Sequence, residues 1–91
     1  MKVLERISTG ISDAKDYFEL IKLCVNAPIR EGMDIETMRK KIRILDAFSC
    51  EDHEVILEEN DFVTVKESVM SMKWPTIHKS LIDFSDYILS L

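Results

Sequence analysis

Apolar residues recur at helical spacing in four stretches of this chain. Ala14, Tyr17, Phe18, Ile21, Cys24 and Val25 return every three or four positions, the interval that gathers side chains on one helix face. They predict a first helix over 13–26. Ser12 is its expected N-cap, Asp13 places negative charge at the positive end of the helix dipole, and Pro28 stops it. The run from Pro28 to Gly32 reads as a connector, since Pro cannot continue a helix and Gly accepts a positive φ.

Ile35, Met38, Ile42 and Leu45 make the second stripe, with Asp34 as its cap. Met33 and Met38 flank that cap at the spacing of a hydrophobic staple, which predicts a helix over 35–48. The stripe has the spacing of a short coiled-coil seam. Two heptads are too few to hold a pair of helices in water, so the stripe is expected to pack into the domain core.

Phe62, Val65, Val69 and Met72 predict a third helix over 59–73, with Glu58, Glu59 and Asp61 at its N-terminal end. Trp74-Pro75 breaks it. Thr76 can cap a fourth helix, along which Ile77, Leu81, Phe84, Ile88 and Leu91 repeat up to the last residue. Ile82 and Leu89 widen that stripe, so this helix either buries much of its circumference or meets a partner chain.

Two short segments break the helical pattern. Residues 1–10 alternate weakly and fit either a strand or a helical turn, whereas Val55-Ile56-Leu57 is β-prone and can pair with Val3 and its neighbours. The expected fold is therefore mainly α: a compact bundle of three to four short helices, with at most a minor two-stranded β element, forming one helical domain over 1–91.

Composition supports a folded chain and narrows its class. Only two Gly and two Pro interrupt 91 residues, fewer than a many-turned β sandwich needs. The net charge of −5 argues against a protein whose main task is coating nucleic acid, because phosphate binding draws on Lys and Arg. Glu5 and Arg6 interrupt any secretory h-region, and the uncharged stretches are too short to span a bilayer. A soluble, cytoplasmic protein is expected, with no membrane contact, and Cys24 and Cys50 are read as thiols. Cys24 lies on an apolar face as a small core residue, whereas Cys50 sits in a polar stretch.

Candidate chemistry is sparse. Cys50-Glu51-Asp52-His53 has a C-x-x-H spacing that Cys24 and His78 could in principle complete, but structural zinc sites need two paired ligand clusters and only one is present. The acidic run from Glu51 to Asp61 lacks the alternation and sixth-position Gly of an EF-hand loop. Neither His53 nor His78 belongs to a nucleophile motif, and no Gly-rich phosphate loop occurs. The chain is thus expected to be non-enzymatic, without metal or cofactor.

The densest charge is Arg39-Lys40-Lys41-Ile42-Arg43. At 100° per residue these side chains fan out; Arg39 and Arg43, four apart, form a two-pronged pair, and Lys40 lies to one side. Three readings stay open: a solvated face with internal salt bridges, docking to an acidic protein surface, and nucleic-acid contact. Glu36 and Asp46 flank the cluster and would repel phosphates. Trp74 beside Pro75 suits either an interface anchor or a core cap.

The string Gly32-Met33-Asp34-Ile35-Glu36-Thr37-Met38-Arg39-Lys40-Lys41-Ile42-Arg43, with Leu57-Glu58-Glu59-Asn60-Asp61-Phe62 and Trp74-Pro75, resembles small proteins of phage and prophage morphogenesis gene clusters. The resemblance covers roughly the last two thirds of the chain and carries no catalytic residue. It implies an accessory role in virion assembly in a bacterial cytoplasm. The expected function is a non-enzymatic adaptor that binds a protein partner or its own copies as a homo-oligomer, through Arg39, Arg43, Lys40, Trp74 and Ile88. The alternative is a small regulator that contacts DNA, or a DNA-binding protein, through the basic helix 35–48.

Overall fold

Along the chain the elements run β1 (Lys2–Glu5), β2 (Ser8–Ile11), β3 (Ala14–Asp16), α1 (Tyr17–Val25), α2 (Ile35–Phe48), β4 (Glu54–Leu57), α3 (Glu59–Ser71) and α4 (Lys79–Ser90). This computed structural model describes residues 1–11, 14–27, 29, 31–75 and 77–91. The fold is α+β rather than a helical bundle with a minor β element: among the described residues four helices pack with two separate two-stranded antiparallel sheets, β1–β4 and β2–β3.

The first sheet joins the two segments whose pairing the sequence left open. Leu4 lies opposite Val55 and Val3 opposite Ile56, so the two-residue period turns Leu4 and Val55 inward and leaves Val3 and Ile56 in water. The second sheet lies where a helix was expected to begin. Ala14 and Tyr17 have helical spacing, but Ala14–Asp16 is a strand paired with Ser8–Ile11. A polar side chain holds this hairpin. The Thr9 hydroxyl donates to the Ala14 carbonyl and accepts from the Ile11 N–H at 3.1 Å, while Gly10 takes a φ of +78° that a residue with a Cβ rarely adopts.

Consequently α1 starts at Tyr17 and not at 13. Asp16 has extended backbone, and its Oδ1 accepts from the Glu19 N–H at 3.0 Å, so it is the N-cap that completes the first turn. Ser12, Asp13 and Pro28, assigned boundary roles from the sequence, lie outside the described residues. The α2 boundaries match the expected ones, with Asp34 Oδ1 accepting from the Thr37 N–H at 2.7 Å. The third helix is two residues shorter than expected, ending at Ser71. In α4 the cap is His78, whose Nδ1 accepts from the Ser80 N–H at 3.1 Å; Thr76 lies outside the described residues. Ile77 is exposed rather than part of the buried face of α4.

α1 is the centre of the core. Tyr17, Phe18, Leu20, Ile21, Cys24 and Val25 are all buried, a stripe wide enough to meet α2 on one side and α3 on the other. Phe18 meets Phe48 of α2 edge to face at 4.9 Å, and Tyr17 meets Phe84 of α4 at 5.2 Å. α4 is tied to both sheets by hydrogen bonds. Ser80 Oγ donates to the Thr9 carbonyl at 2.8 Å, and the Tyr87 hydroxyl accepts from the Glu5 N–H at 3.0 Å.

Candidate interaction surface

The second helix carries apolar side chains on two faces, and the structure buries the one that the sequence stripe does not name. Ile44 and Phe48 enter the core, whereas Ile35, Met38 and Ile42 point to solvent, with Ile35 61% and Ile42 51% exposed. The expected burial of the 35-38-42-45 stripe is therefore reversed for its first three members; Leu45 alone packs partly against the core. The reason is geometric: at 100° per residue Ile44 and Phe48 lie on the side of the helix away from Ile35 and Ile42, and the large Phe48 side chain fits against Phe18. A ridge of apolar side chains roughly 10 Å long, at 1.5 Å rise per residue, thus stands in water from Ile35 to Ile42, with the partly buried Leu45 at its end.

That ridge continues onto α1. Leu23 is 47% exposed and lines a shallow groove between α1 and α2 with Leu45, Lys22 and Asn26. It also lines a second, more apolar hollow of about 240 Å³, whose walls include Ile11, Leu20, Met72, Trp74 and Leu81. Leu23 is therefore the hinge between the α2 ridge and the Trp74 hollow. The sequence stripe of α1 omits it, because Leu23 falls outside the spacing of the core face, and nothing in its immediate neighbours Lys22 and Cys24 marks it out.

The five expected partner-binding residues are dispersed. Arg39 is exposed beside the ridge and has no ion pair among the described residues. Arg43 is engaged: its Nη2 lies 2.6 Å from Asp61 Oδ1 and its Nε donates to Oδ2 at 3.3 Å, a two-toothed contact that raises its already high pKa, first through the hydrogen bond and then through the charge of Asp61. The anticipated Arg39–Arg43 prong therefore has one arm occupied. Lys40 is half-buried and lines a cleft between α2 and α3, on a different side from Arg39. Trp74 is half-buried at the wall of the apolar hollow. Ile88 is fully buried in the core and offers no surface to a partner; Ile82 and Leu89 are the exposed apolar residues of α4.

Cys50 and His53 have a structural setting. Arg6 gathers the loop that contains them, donating from Nε to the Asp52 carbonyl at 3.0 Å and from Nη2 to the Cys50 carbonyl, while its backbone N–H donates to the His53 carbonyl at 2.8 Å. Among the described residues no three His, Cys, Asp or Glu side chains converge closely enough to hold a metal ion. Among the described residues no helix is long and apolar enough to cross a membrane. Comparison of the chain with protein-family models, with curated proteins and with solved structures finds no match.

Proposed function

We propose that the chain is a non-enzymatic protein-interaction module that pairs with a second copy of itself through the α2 ridge and the Trp74 hollow. The observation that carries this reading is the position of Leu23, which joins a convex apolar ridge to a concave apolar pocket in one band. A two-fold pair buries the same patch on both copies, so the patch must complement itself. A ridge beside a hollow meets that requirement, since each copy can set Met38 and Ile42 against the other's Leu23 and Trp74. Contiguous exposed apolar surface of this kind is uncommon on a protein that stays alone. Arg39, exposed at the edge of the ridge with no ion pair among the described residues, adds a charge that fixes orientation more than affinity.

The basic helix lends the nucleic-acid alternative no comparable support. Its cations diverge: Lys40 and Lys41 turn into the α2–α3 cleft, Arg43 is exposed but held by Asp61, and Arg39 is exposed with no ion pair among the described residues.

Sedimentation equilibrium from about 1 to 300 µM tests the proposal, a range that reports dissociation constants typical of modest interfaces. A monomer–dimer equilibrium is expected. Ile42→Glu and Leu23→Glu should each weaken it at least about tenfold. Val63→Glu, at an exposed position on α3, should leave it unchanged. A monomer throughout the range, or a dimer indifferent to Ile42→Glu and Leu23→Glu, overturns the proposal.

A further inference from the structure

The wedge between α2 and α3 is polar inside. On α2, Thr37, Lys40 and Lys41 stand at i, i+3 and i+4 and converge on it; on α3, Thr64, Ser68 and Ser71 stand at i, i+4 and i+7, with Glu67 beside them. Cys24, Ala27 and Ile29, from α1 and the segment after it, form an apolar back wall. The open wedge has a volume of about 390 Å³. That falls at the low end of the roughly 300–1,000 Å³ typical of small-ligand sites.

This placement inverts the ordinary distribution of side chains. α2 keeps Ile35 and Ile42 in water while Lys40 and Lys41, each partly buried along its length, line the wedge and bring two cationic side chains to it. Neither lysine has a carboxylate within 4.0 Å among the described residues, Glu67 included. The opposite wall has the complementary character. Ser68 Oγ donates to the Thr64 carbonyl and Ser71 Oγ to the Glu67 carbonyl, each at 2.8 Å, and Thr64 Oγ1 donates to the Asn60 carbonyl at 3.3 Å. Their protons are used within the helix, so each hydroxyl presents lone pairs to the cleft. One wall is therefore cationic and the other accepts hydrogen bonds and carries a carboxylate. The back wall is neutral, since burial pushes the Cys24 thiol up to about 12.

We propose that this cleft binds a small zwitterion of the amino-acid class, its carboxylate on Lys40 and Lys41, its ammonium toward Glu67 and the hydroxyl row, and its side chain against Cys24, Ala27 and Ile29. A simple anion satisfies only one wall, and a simple cation only the other. The site lies on the inner side of α2, away from the ridge at Ile35 and Ile42, so ligand binding and self-association can be measured separately.

The test is a two-dimensional amide NMR titration of the full chain with L-leucine, L-serine and glycine in turn, with acetate and inorganic phosphate as single-charge controls. At least one amino acid should give saturable shifts confined to residues 37–41 and 64–71, with an affinity at least about tenfold above that of acetate or phosphate. Lys41→Gln, at a partly buried position, and Glu67→Gln, at an exposed one, should each weaken it about tenfold while the rest of the spectrum stays in place. Three results overturn the proposal: no saturable shift with any of the amino acids, acetate or phosphate binding as tightly as the amino acids, or unchanged affinity in Glu67→Gln.

Discussion

Arg6 Nη1 lies 2.9 Å from Asp16 Oδ2, and the two residues together fasten the start of α1 to the loop after α2. Asp16 uses its other oxygen to cap α1. Arg6 lies over the Phe18 ring at 4.6 Å and reaches the Asp52 and Cys50 carbonyls with its remaining nitrogens. One guanidinium thus satisfies three acceptors from two segments, the Asp16 cap and the loop after α2. Both side chains are largely shielded, at 22% and 16% exposure.

Removal of Arg6 should therefore cost more than a surface ion pair. Arg6→Met leaves the Asp16 carboxylate and two loop carbonyls without their partner, and a loss of about 3 kcal/mol in urea unfolding at pH 7 is expected. The pair also makes stability depend on acid. Burial raises the Asp16 pKa, but the Glu19 N–H, the hydrogen bond and charge of Arg6 and the Phe18 N–H together hold it below its ordinary 3.8. The folded state then binds this proton more weakly than the unfolded one. Its contribution is complete above the ordinary value and is lost as pH falls through the lower native value. Asp16→Asn, which keeps a capping oxygen but has no titration, should flatten the decline in stability below about pH 4; an unchanged slope would refute the assignment.

The two faces of α2 predict opposite mutational behaviour. Ile42→Gln, at an exposed position, should change monomer stability by less than about 0.5 kcal/mol, whereas Phe48→Ala should cost about 3–5 kcal/mol. Unfolding at about 1 µM, where self-association is weak, separates fold stability from pairing. Equal losses in the two variants would restore the core role that the 35-38-42-45 spacing suggests.

The limits of sequence reading are visible in this same helix. Its boundaries are legible because Asp34 is a local cap whose bond to Thr37 needs no tertiary partner. Its orientation is not, because two apolar arcs compete and only packing against Phe18 decides between them. The β1–β4 pairing is legible from the apolar run Val55-Ile56-Leu57. The β2–β3 hairpin is hidden, since Ser8-Thr9-Gly10-Ile11 has a single bulky apolar residue and the Thr9 side chain supplies the closure. The basic run was legible as a charge cluster; that Arg43 would be taken by Asp61 depends on how α3 folds back beside α2.

The two thiols should differ sharply in reactivity. Cys24 is buried with its pKa pushed up to about 12, so at pH 8 only about 10⁻⁴ of it is thiolate. Cys50 is partly exposed. Titration with a chromogenic disulfide at pH 8 should modify one equivalent in the native protein and two after unfolding in urea. Modification of Cys24 under native conditions at a rate near that of Cys50 would show that the α1 core opens far more readily than its packing implies.

Tyr87 provides a last test, of how α4 holds the first sheet. β1 has one ladder partner, β4, and the Glu5 N–H at the end of β1 is taken by the Tyr87 hydroxyl at 3.0 Å. The Tyr87 ring also meets Tyr17 at 5.3 Å, so Tyr87→Phe keeps the packing and removes only the acceptor. A loss of about 1 kcal/mol is expected, the ordinary net value of one hydrogen bond. It should appear locally, as faster hydrogen exchange at the Glu5 amide, with the α1 amides almost unchanged. If Glu5 exchange does not accelerate in Tyr87→Phe, the hydroxyl does not hold that N–H, and α4 is joined to β1 by apolar packing alone.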